Sequence, residues 1–195
     1  DLRQDKLDTI SATLGIDALS TSITAAIIGI LIVMLIMLVR YRMCGLVADW
    51  ALCVYIILLF LFIAVVPGIQ LTLPGIAGII LGIGMAVDAN VVIFERVMEE
   101  GRLGRPMIHA VRIGFKNAMS AVLDANVTTI IAAVVLLFYG TGSVQGFATT
   151  LLLGVITSMI TAIVVTRFLL TRFVRVFHEP RLFVAVKPAA DAAVA

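Results

Sequence analysis

The chain has 195 residues, 62% of them hydrophobic and 13% charged, with a net charge of +2. Soluble domains run nearer about 45–50% apolar and about 25% charged, so there are too few polar residues here to cover a water-facing globule, which argues against soluble-enzyme and disordered classes. The small charge excess gives no basis for a nucleic-acid partner, and Cys44 and Cys53 lie in no Cys-x-x-Cys or Cys/His cluster, so neither a disulfide framework nor a metal site is suggested.

The opening residues are polar and contain no basic-then-apolar leader, so the chain reads as an internal piece of something longer. Five apolar runs follow, at 19–39, 46–66, 74–94, about 119–139 and about 146–166. Each has about 21 residues, enough at ~1.5 Å per helical residue to cross a hydrocarbon layer of ~30 Å. The reading is an all-α polytopic membrane helix bundle, with five transmembrane helices over residues 19–172. Between the third and fourth runs, Pro106 suits a first helical position. Beyond it His109, Arg112 and Lys116 take one side, and Met107, Ile108, Val111 and Phe115 the other. That pattern predicts an amphipathic helix over about 106–118, lying on the inner membrane surface and feeding into span four, with His109 a solvated surface residue. Residues 173–195 are a tail whose Ala-, Val- and Pro-rich end is expected to be disordered.

Lysine and arginine set the orientation. Twelve of the fourteen follow span one, lie between spans three and four, or follow span five, while the other two loops carry no charge. The positive-inside rule then puts the N-terminus outside and the C-terminus in the cytoplasm.

Only two acids fall well inside the runs, Asp88 and Asp124. A charge at mid-membrane costs at least about 2.5–3.5 kcal/mol, so such residues are expected to face a bundle interior or cavity and to mark an ion or proton path. Helical rise puts them roughly 12 Å and 8 Å from the inner boundary. They are expected to share a polar seam, with pKa values raised by desolvation. Asn117, Ser120, Asp124 and Thr128 recur on one face of span four, and Thr150, Gly154, Thr157 and Thr161 form a second stripe on span five. Gly78 and Gly82 form a Gly-x-x-x-Gly packing pattern. The tetrapeptide Asp-Ala-Asn-Val occurs at both acids, and Asn90 and Asn126 fall about 200° round the helix from their own Asp, available to other helices. No phosphate-binding glycine motif is present, so any work must draw on a gradient or on partners.

The run from Gly82 to Arg96, Gly-Ile-Gly-Met-Ala-Val-Asp-Ala-Asn-Val-Val-Ile-Phe-Glu-Arg, closely resembles the fourth-helix motif of SecD, an accessory subunit of the bacterial Sec protein-export machinery. The likeness continues at Glu99-Glu100, Gly114-Phe115, Asp124 to Thr129, Gly140-Thr-Gly142 and Gly146 to Ala148, and covers about residues 11–172. Met98, Gly101 and Gln145 depart from the family's usual choices.

The resemblance implies half of a membrane domain of the resistance-nodulation-division (RND) type. Spans two to six would be present, and residues 1–18 would be the stub of a periplasmic region. It implies a proton-coupling role for Asp88, a lesser carry-over for Asp124, and a motif closed by Glu95 and Arg96. The implied partners are SecF, the SecYEG channel with SecA, the exported polypeptide and the lipid bilayer of the inner membrane. The drive would be the proton gradient, with no bound cofactor, no metal and no enzymatic site. An RND small-molecule exporter is the alternative, and a scaffold whose seam only docks SecF is a third reading.

Overall fold

A computed structural model describes residues 12–66 and 72–176. Every regular element among them is helical: α1 Ala12–Tyr41, α2 Met43–Val65, α3 Leu73–Arg102, α4 Met107–Tyr139, α5 Ser143–Ile160, a π-helical segment Thr161–Thr166, and α6 Arg167–Val176. Five helices, the last continuous through the π segment, are long and apolar enough to cross a membrane. The all-α five-span architecture is therefore the one read from the apolar runs. The helices overrun those runs at several ends. Residues 12–18, expected as part of a stub, are the first turns of α1, and α6 carries the fifth span to Val176. The remainder of the expected stub and tail lies outside the described residues.

Local chemistry sets the breaks. Arg42 alone separates α1 from α2, with a left-handed φ of 50°. Thr72 caps α3, its Oγ1 accepting from Gly75 N at 3.2 Å, with Pro74 in the first turn. Gly104, at φ 78°, turns the chain from α3 towards α4, a conformation that costs glycine little.

The separate surface helix expected over 106–118 is not formed. Its residues are the first turns of α4, a single 33-residue helix that starts just after Pro106. Val111, Phe115 and Ala118 join Phe94, Val97 and Met98 in one core cluster, so most of the apolar face packs on the end of α3, while Ile108 is exposed. A Cβ on Gly114 would stand 2.7 Å from the backbone of Val97, which shows how closely the two helices approach. His109 is exposed, as a surface histidine should be. The α3–α4 hairpin thus continues about 12 Å beyond residue 94 on the basic side of the bundle.

α3 is the central helix, packed on α5 and α4 and touching α1 and α2. In lipid, apolar surface alone does not drive helices together, so close packing of small residues carries the association. Gly78 and Gly82 provide it. A Cβ on Gly78 would land on Thr150 Oγ1, and one on Gly82 would meet Gly154 Cα at 3.4 Å. α1 lies at the edge against α2, and its Ile27, Leu31 and Leu35 are exposed to the surrounding hydrocarbon.

Candidate functional site

Asp88 and Asp124 do not point into the five-helix unit; both are exposed. The interior or cavity expected around them is therefore not formed by these five helices on their own. Asp88 belongs to the outer stripe of α3 with Ala77, Leu81 and Gly84, and a Cβ on Gly84 would meet nothing within 4 Å. Asp124 belongs to the outer stripe of α4 with Asn117, Ser120 and Thr128, all exposed. Rise along the two antiparallel helices puts the acids roughly 21 Å and 25 Å from the hairpin turn, so they stand at similar depth. Thr128 Oγ1 donates to the Asp124 carbonyl at 3.0 Å, which uses the hydroxyl within its own helix.

The expected single seam is instead two features. The second is internal and lies between α3, α5 and the π segment. Thr150, Thr157, Ser158, Thr161, Thr166 and Asn90 are all buried there. Thr166 Oγ1 donates to Asn90 Oδ1 at 2.8 Å, tying α3 to the end of the π segment. Thr150 Oγ1 lies 2.9 Å from the Gly75 carbonyl, across the α3–α5 contact. Thr157 and Thr161 donate to Leu153 O and Thr157 O one turn back, at 2.7 and 2.9 Å, so their hydroxyls are satisfied locally. An α-helix would carry Thr166 about 140° round from Thr161. The wider π turn reduces that rotation, and both residues stay buried. Asn126 is buried on α4, and its Nδ2 donates to Val122 O at 2.7 Å. Each Asn of the repeated tetrapeptide therefore faces inward while its Asp faces outward.

A charged rim closes the motif on the basic side. Tyr41 Oη donates to Glu95 Oε1 at 2.9 Å, and Arg40 Nη2 lies 3.5 Å from the same oxygen. This joins the end of α1 to α3. Arg96 pairs with Glu99 at 2.9 Å along its own helix. Glu100, mostly buried, accepts from Asn117 Nδ2 at 3.2 Å and pairs with Arg105 at 3.2 Å, so Asn117 serves the hairpin rather than a seam with Asp124.

Three residues escaped the sequence reading. Thr166 lay at the edge of its run, and its partner depends on the π turn. Tyr55 is fully buried in mid-span, and its hydroxyl has no hydrogen-bond partner among the described residues; a phenol inside an apolar run was the available signal. Asp49, near the start of the second apolar run, is the seventh residue of α2 and half-buried. Among the described residues no group of three or more His, Cys, Asp and Glu is placed to hold a metal ion. What the arrangement offers is two exposed carboxyls at similar depth, one on α3 and one on α4, with a hydrogen-bonded junction of α3 with α5 and the π segment on the inner side.

The family described as "Protein export membrane protein SecD/SecF, C-terminal" matches residues 1–176. Protein translocase subunit SecD of Synechocystis sp. is 48% identical over 179 residues, covering 90% of this chain and 38% of its own length. The SecD of Acidaminococcus fermentans is 54% identical over 164 residues, covering 83% of this chain and 39% of its own. Among solved structures, SecDF from Thermus thermophilus, a translocon-associated membrane protein, matches with a TM-score of 0.83 at 39% identity, over 86% of this chain and 23% of that one. The chain spans under half the length of each of these relatives.

Proposed function

The chain belongs to the SecD/SecF C-terminal family of protein-export membrane proteins, and on that premise we propose that it is the membrane part of a Sec translocation subunit that couples proton passage to late, outer-side steps of export. The carrying observation is the outward exposure of Asp88 and Asp124 on helices of membrane-spanning length. A carboxylate facing hydrocarbon costs at least about 2.5–3.5 kcal/mol, so this face needs a cover that solvates or pairs the acids. A second membrane half of the SecF kind meets that need. The length of the relatives leaves room for it, since the matched part is only 23% of the Thermus SecDF chain.

Asp88 and Asp124 then lie at the junction of two halves, and protons pass along that junction. Thr150, against the Gly75 carbonyl, and the Asn90–Thr166 bond hold α3 against α5 and the π segment, so that a change at Asp88 is passed on as a helix movement. The drive is the proton gradient, with no bound cofactor. The working partners are SecF, the SecYEG channel with SecA, and the exported polypeptide on the outer side. The basic ends, Arg40 and Arg42, the α3–α4 hairpin, and α6, lie on the cytoplasmic face of the inner membrane under the positive-inside rule. The exporter alternative is not favoured, because the similar proteins are named as translocase subunits.

The test is Asp88→Asn in the intact natural protein. Gradient-dependent release of an exported polypeptide should be lost while SecF still co-purifies. Unchanged gradient-dependent export sinks the proton role, and loss of SecF from the purified complex moves support to the docking reading.

A further inference from the structure

On the basic side, α1 and α3 leave a groove of about 550 Å³. Its walls divide by chemistry. Leu35, Ile36 and Val39 form an exposed apolar wall within the last turns of α1, over the buried Met98. Arg40, Arg42 and Arg102 ring the end that emerges from the apolar run, and among the described residues no carboxylate lines the groove. Arg40 is partly committed, lying 3.5 Å from Glu95 Oε1 and 5.3 Å from the Tyr41 ring centroid. Arg42 and Arg102 are exposed, and neither guanidinium has an ion pair among the described residues.

Arg42 also occupies the only non-glycine position with positive φ among the described residues. Glycine would take that corner with least strain. The corner carries an arginine, and its side chain joins the groove.

We propose that this groove binds one anionic glycerophospholipid, its phosphate held by Arg40, Arg42 and Arg102 and an acyl chain laid along Leu35, Ile36 and Val39. The two halves of the groove match the two halves of such a molecule. The arginines give fork-shaped donors suited to phosphate oxygens. The apolar wall begins one residue from Arg40 and extends about 6 Å up the helix, into the depth where acyl chains lie. Basic recesses between transmembrane helices on the cytoplasmic side are suited to anionic headgroups. Soluble phosphate would use only the arginines. The bound lipid bridges the ends of α1 and α3, the same helices that Glu95 joins through Tyr41 and Arg40, and so braces the foot of the Asp88 helix.

Native mass spectrometry of the intact natural protein in detergent tests this. The titrants are dioleoylphosphatidylglycerol, dioleoylphosphatidylcholine and inorganic phosphate. The wild type should retain one phosphatidylglycerol in preference to phosphatidylcholine, and inorganic phosphate should not displace it. Each arginine near an anionic headgroup strengthens attachment roughly five-fold, so Arg42→Gln with Arg102→Gln should weaken retention by about 30-fold. Arg42→Lys with Arg102→Lys should keep most of it, which separates lost charge from lost fold. Equal retention of the two lipids, an unchanged preference in the glutamine variant, or displacement by inorganic phosphate alone would each overturn the lipid assignment.

Discussion

The contact between Gly82 and Tyr55 offers a sharp test of the packing at the centre of the bundle. A Cβ on Gly82 would stand 2.7 Å from Tyr55 Oη, against the 3.4 Å at which ordinary contact begins. The same Cβ would also lie 3.4 Å from Gly154 Cα, and a Cβ on Gly154 would stand 3.3 Å from the same hydroxyl, so all three groups share one tight contact. Tyr55 is itself fully buried, so its ring has little room to withdraw. Overpacking of this kind costs about 1–3 kcal/mol. For a chain of this size Gly82→Ala should therefore lower the melting temperature by about 2–12 °C. Tyr55→Phe removes the obstructing oxygen. Because that hydroxyl has no hydrogen-bond partner among the described residues, the single change should be near neutral or mildly stabilising. The double variant should recover at least half of the loss, giving a coupling of about 0.5–1.5 kcal/mol or more. Cys44 is fully buried and Cys53 exposed, so a Cys53→Ser background lets a thiol-reactive dye report unfolding through Cys44. A Gly82→Ala protein that melts with the parent, or a double variant with no recovery, refutes the proposed contact.

Gly114→Ala should be worse than Gly82→Ala, because its Cβ would meet the backbone of Val97 at 2.7 Å and the helices themselves must part; the expected loss is about 3 kcal/mol or more in the same dye assay. Thr166→Val leaves buried Asn90 Oδ1 without its donor and should cost about 1–3 kcal/mol; pairing it with Asn90→Leu should restore part of the loss, and equal melting of both singles and the parent would argue against the junction. Arg40→Gln should change stability by no more than about 1 kcal/mol, because its 3.5 Å pair with Glu95 is solvent-exposed; a large fall in melting temperature would show that the rim carries more than is claimed for it.

The number and order of the spans were legible because each apolar run is long enough to cross a bilayer and is bounded by charge, glycine or proline. The direction each face takes was not. In a membrane protein, residues facing lipid and residues facing neighbouring helices are both apolar, so periodicity marks a stripe without saying whether it points in or out. Asn117, Ser120, Asp124 and Thr128 do share a face, as their spacing requires, but the face is exposed. The opposite placement of Asn90 and Asp88 was readable, since two residues of helix turn through about 200°. The helical phase of residues 107–118 was also readable. Their merger with α4 was not, because it depends on how closely Gly114 meets Val97, a contact between helices that no local pattern encodes. Thr166 escaped for a related reason: the π segment changes the helical phase that an α-helical reading assumes.

Whether Asp88 takes up and releases a proton in the working assembly can be measured by infrared difference spectroscopy. The intact natural protein, with SecF bound and in membranes, would be titrated across the physiological pH range. A protonated-carboxyl band that titrates in the wild type and is missing from Asp88→Asn is the expected result. An Asp88 that stays ionised throughout, while gradient-dependent export continues, would rule out its place on the proton path.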